Sequence, residues 1–160
     1  MSEINEIDKV DKLETIETIG SQPVSVPTVV VAAHLESGPI PYVQKIQVGH
    51  HLVPCDEPVS RGGADLGPSP TGLLLAALAG CTSITLRMYA DRKGWALGTV
   101  EVDIKFFREG DTEPTEHIER TIKIGGALAP EQLARLLEIA EKTPVTKMLK
   151  HGVAIVTSLG

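Results

Sequence analysis

The chain opens with an apolar residue at every third position: Ile4, Ile7, Val10, Leu13, Ile16 and Ile19. A three-residue repeat drifts around an α-helix by about 60° per step, so it makes no straight stripe. Gly20, Pro23 and Pro27 would stop any helix there. Residues 1–27 therefore read as an N-terminal extension, either docked on a partner subunit or mobile, and residues 28–160 as one domain. Val-rich Thr28–His34 predicts a strand, and Gly38-Pro39-Ile40-Pro41 a turn. Tyr42–Gly49 alternates and predicts the hairpin partner, with His51–Cys55 as a third short strand.

A glycine-rich loop, Arg61 to Gly67, then leads into a well-marked helix. Ser69 suits the N-cap, Pro70 the first helical position and Gly94 the stop after Lys93. The segment is apolar on nearly every side through Leu78, which predicts a helix in the middle of the protein. Ala76, Ala77, Ala79 and Gly80 are small enough to let another element approach closely. In Leu97–Phe107, the residues Val100, Val102, Ile104 and Phe106 share one face, predicting a strand. Gly110–Pro114 predicts a turn, and Glu116–Ile124 the antiparallel return. Pro130–Lys142 is an amphipathic helix, Pro144–Lys150 a short helix ending at Gly152, and Val153–Ser158 a last strand. The fold class is α+β.

Composition narrows the function. The 160 residues are 42% hydrophobic but only 3% aromatic, and the net charge is −6. Few stacking rings and no basic face argue against nucleic acid. The first 20 residues hold six acidic side chains against two lysines, so the rest of the chain is nearly neutral and implies no strong electrostatic partner. Two cysteines are too few for a disulfide framework. The acidic N-terminus has no apolar signal region. The mostly apolar run Leu73–Leu86 reads as a core helix rather than a membrane span. Together these predict a cytoplasmic protein with no membrane partner.

Candidate chemistry centres on Cys81, about three turns into the long helix. The helix dipole acts only within the first turn, so a reactive thiol there needs a nearby cation. Otherwise Cys81 is a small packing residue. Arg61, just before the helix, is one source of charge, and Cys55 is the one other thiol. His50, His51 and Cys55 invite a metal reading, but His50 and His51 would point to opposite faces of a regular strand and zinc needs three or four converging ligands, so no metal site is expected. Asp56 and Glu57 read as turn formers before Pro58. Gly67–Gly72 lacks the Lys-Ser/Thr of a phosphate loop, and no cofactor is expected.

Three segments together resemble the OsmC/Ohr superfamily, which includes osmotically induced proteins and organic hydroperoxide resistance proteins. They are Asp56-Glu57-Pro58 through Pro70, Leu73 through Gly80-Cys81-Thr82, and Leu86-Arg87 through Gly94-Trp95. The order of elements from Val29 to Leu159 is similar too. The resemblance implies antiparallel sheets around a long central helix plus a second helix, in a tightly intertwined homodimer with two sites at the subunit interface. It also implies a thiol peroxidase that acts on organic hydroperoxides and is reset by an external thiol. Cys81 matches the attacking cysteine. The resolving cysteine's position falls on Thr143, which cannot form a disulfide. The family's glutamate falls on Thr71, and no arginine precedes Arg61 to match the family's hairpin arginine. Three of the four catalytic parts are thus absent from their usual places. The readings left open are turnover through Cys81 with Arg61 or a relocated Cys55, turnover with Cys81 alone, or a non-catalytic member that binds a small apolar ligand.

Overall fold

The computed structural model describes residues 29–108 and 116–160. Residues 33–160 form one compact unit. The extension expected at 1–27 and the turn expected at Gly110–Pro114 lie outside the described residues.

Three short antiparallel strands come first: β1 (Ala33–Leu35), β2 (Gln44–Val48) and β3 (His51–Cys55), in that order across the sheet. The strand expected from Thr28 begins only at Ala33. Ala33 pairs with Val48, and β2 then turns at Gly49–His50, leaving no β2 partner for the exposed Val29, Val30 and Val31. A loop with one 3-10 turn leads to helix α1 (Pro70–Lys93). Ser69 caps α1 by accepting the Gly72 N–H at 3.2 Å, and Gly94 ends it in the left-handed conformation at φ 67°, as the sequence predicts. The long hairpin β4 (Val100–Arg108) and β5 (Glu116–Ile124) follows, then α2 (Pro130–Ala140) and α3 (Pro144–His151). The hairpin register sets Val102 against Ile122, Ile104 against Arg120 and Phe106 against Ile118. The architecture is α+β with two antiparallel sheets, as expected.

One further expectation fails. Val153–Ser158 forms no strand, and Val153, Ile155, Val156 and Leu159 are exposed. A strand needs a ladder partner, and none of the described strands pairs with this segment. Among the described residues helix α1 is covered along one side. It packs on β4, α2 and α3 along one stripe, Leu78, Thr82, Leu86 and Ala90. The dry core lies at its C-terminal half, where Leu86 and Ala90 meet Leu97, Leu136 and Ala140. Tyr89 and Trp95 pack against that core, as their sequence context suggests. At 24 residues α1 is longer than the apolar run seen in the sequence, and long and apolar enough to cross a membrane by length and composition.

Candidate functional site

Cys81 is half-buried and has a free thiol. It lies on the face of α1 that the other described residues leave open. Leu74, Ala77, Cys81, Ile84 and Met88 follow one another at spacings of three and four, which is one continuous helical stripe. Four of the five are exposed, and a Cβ added at the adjacent Gly80 would meet nothing within 4 Å. The close approach that the small residues predict is therefore made by nothing in the chain's own described residues. Among those residues no side chain forms a hydrogen bond or ion pair with the Cys81 sulfur.

Arg61 ends the 3-10 turn Val59–Arg61 and pairs with Glu57 at 3.6 Å, its side chain 66% exposed. Cys55 closes β3 and is buried, with the Pro54–Cys55 backbone packed closely against Gly67. Burial pushes its thiol above the ordinary range, and the carboxylates of Glu57 and Asp56 add to that. Asp56 itself is enclosed, accepting N–H bonds from Glu57, Ala64 and Leu66 at 2.8, 3.0 and 3.1 Å. The Leu66 N–H bond, with those of Glu57, Ala64 and Asp65, holds its carboxyl below the usual range. Asp56 thus ties the whole loop to the end of β3, a larger role than the turn former read from sequence. The His50 and His51 rings do meet, with centroids 3.8 Å apart. They can because His50 sits in the turn before β3, not in the strand. Among the described residues no three His, Cys, Asp or Glu side chains gather as metal ligands.

Thr143, the position of the missing cysteine, is fully buried and is the N-cap of α3. It accepts the Thr146 N–H at 3.4 Å, and its hydroxyl meets that of Thr146 at 2.7 Å. A threonine serves here as a helix cap, a task the sulfur of cysteine performs poorly.

Sequence reasoning missed Arg120. It lies on β5 with its side chain only 10% exposed. Its Nη1 donates to the hydroxyls of Thr82 and Thr146, both at 3.0 Å. Its Nη2 donates to the Ala140 carbonyl at 3.1 Å and to Glu141 at 2.9 Å. Thr82 in turn donates a hydrogen bond to the Leu78 carbonyl at 2.7 Å. Glu141 also pairs with Lys150, and Lys150 first, then Arg120, holds its carboxyl below the usual range. One guanidinium so joins α1, β5, α2 and α3, one residue along α1 from Cys81. The signal was present: Ile118, Arg120, Ile122 and Ile124 share the inward phase of β5, and a charge in an apolar phase calls for buried partners.

Beside Arg120 opens a cavity of about 600 Å³, between the N-terminal half of α1, the outer end of the β4–β5 hairpin, α2 and α3. Leu74, Leu78, Phe106 and Ile118 are among its walls, and Cys81 is not.

The OsmC-like protein family model matches residues 62–158, which is more than half of the sequence. The chain belongs to the OsmC-like protein family. The match begins in the glycine-rich loop, so β1 to β3 lie outside it. An OsmC-like protein from Mycoplasma pneumoniae superposes with a TM-score of 0.62 at 16% identity, over 79% of this chain and 89% of that one. An organic hydroperoxide resistance protein OsmC from Legionella pneumophila gives 0.59 at 18% identity, over 78% and 92%. The organic hydroperoxide resistance protein OhrB of Bacillus subtilis gives 0.53 at 18% identity, over 78% and 93%. At these identities the likeness establishes the OsmC fold alone. No curated protein matches the sequence.

Proposed function

We propose that this OsmC-like chain is a cytoplasmic thiol-dependent reductase of organic hydroperoxides that cycles through Cys81 alone. The carrying observation is the pairing of an accessible thiol with a position that cannot resolve it: Cys81 is free on the open stripe of α1, and Thr143 is locked into a helix cap. The Cys81 sulfur attacks the terminal peroxide oxygen, the O–O bond breaks, and the alcohol leaves with a proton. The sulfur becomes a sulfenic acid. One external thiol condenses with it, releasing water, and a second releases the reduced Cys81 and an external disulfide. The organic hydroperoxide resistance proteins among the similar structures support the substrate class. Cys55 has no part in this cycle, because its buried thiol is disfavoured as a thiolate.

The working form in this reading is a homodimer. Leu74, Ala77, Ile84 and Met88 give a second copy an apolar seam beside the gap at Gly80, and Cys81 lies where the two copies meet. Leaving this stripe wet would expose a row of apolar side chains on the longest element of the fold.

A second reading is a member that binds a small apolar ligand without turnover. It is favoured by one observation: among the described residues the guanidiniums of Arg61 and Arg120 are engaged by carboxylates and hydroxyls, not by Cys81. A dithiol-dependent peroxidase assay separates the two. The first reading expects turnover that Cys81→Ser abolishes and Cys55→Ser leaves intact. Equal rates in all three proteins would remove it.

A further inference from the structure

We draw no further inference here: the strongest candidate, the exposed apolar C-terminal segment 153–159 beyond α3, has nothing among the described residues that shows what covers it, and seating it on a second copy restates the intertwined homodimer that the family resemblance already implies.

Discussion

Helix α1 carries two stripes that differ in what covers them. Leu78, Thr82, Leu86 and Ala90 are buried against β4, α2 and α3. Leu74, Ala77, Cys81, Ile84 and Met88 are as apolar by sequence but face outward or are half-covered. A helix in a single-chain fold keeps polar residues on the face it does not bury. Here the outward face is apolar and holds the one accessible thiol. The difference separates a stripe that holds the fold together from one that the described residues leave open, where the proposed chemistry and assembly would sit.

The largest effect should come from the polar node on the buried stripe. Arg120→Met removes one guanidinium from four acceptors and leaves Glu141 with Lys150 as its remaining cation. Thr82, Thr146 and Ala140 are buried acceptors, and leaving such groups unpaired costs about 1–3 kcal/mol each, which urea denaturation would read. A loss under ~1 kcal/mol would mean that this node is not structural. Glu141 adds a pH signature. Its folded carboxyl is held below its unfolded value, so the stabilisation is present above the ordinary glutamate range and fades as pH falls through the folded value. Lys150 is the larger cause of that lowering, so Lys150→Met should flatten the acid limb of the stability curve more than Arg120→Met does.

Next is the contrast between the stripes. Leu86 has no exposed surface, and Leu86→Ala should cost about 2–5 kcal/mol. Ile84 is 62% exposed within its own chain, so Ile84→Ala should change monomer stability by less than ~1 kcal/mol. In the proposed homodimer its effect should appear instead as a higher dissociation constant in sedimentation velocity. A large loss of stability at Ile84 with no change in assembly would erase the contrast. Smaller still is the cap: Thr143→Ala should cost roughly 1 kcal/mol, seen in thermal unfolding, as α3 loses its N-terminal acceptor.

The sequence made α1 legible to the residue because Ser69, Pro70 and Gly94 act locally. The β4–β5 pairing was legible for the same kind of reason: alternation needs no distant partner to be recognised. Val153–Ser158 misled because β propensity describes fitness for a sheet, not the presence of a neighbouring strand. At the site, Cys81 and Thr143 were found from sequence, but the bond network that makes Thr143 a cap was not. Arg120 was overlooked because its partners Thr82, Thr146 and Glu141 come from three separate elements, and only the fold brings them to one guanidinium.

The two cysteines carry the comparison to its sharpest point. Cys55 is enclosed beside two carboxylates, and Cys81 stands on the open stripe. Brief treatment of the reduced protein with one equivalent of an organic hydroperoxide, followed by a sulfenic-acid trap and peptide mass spectrometry, reads both at once. The account predicts trapped sulfenic acid at Cys81 with Cys55 unmodified. A trapped adduct at Cys55, or at neither sulfur, would contradict it.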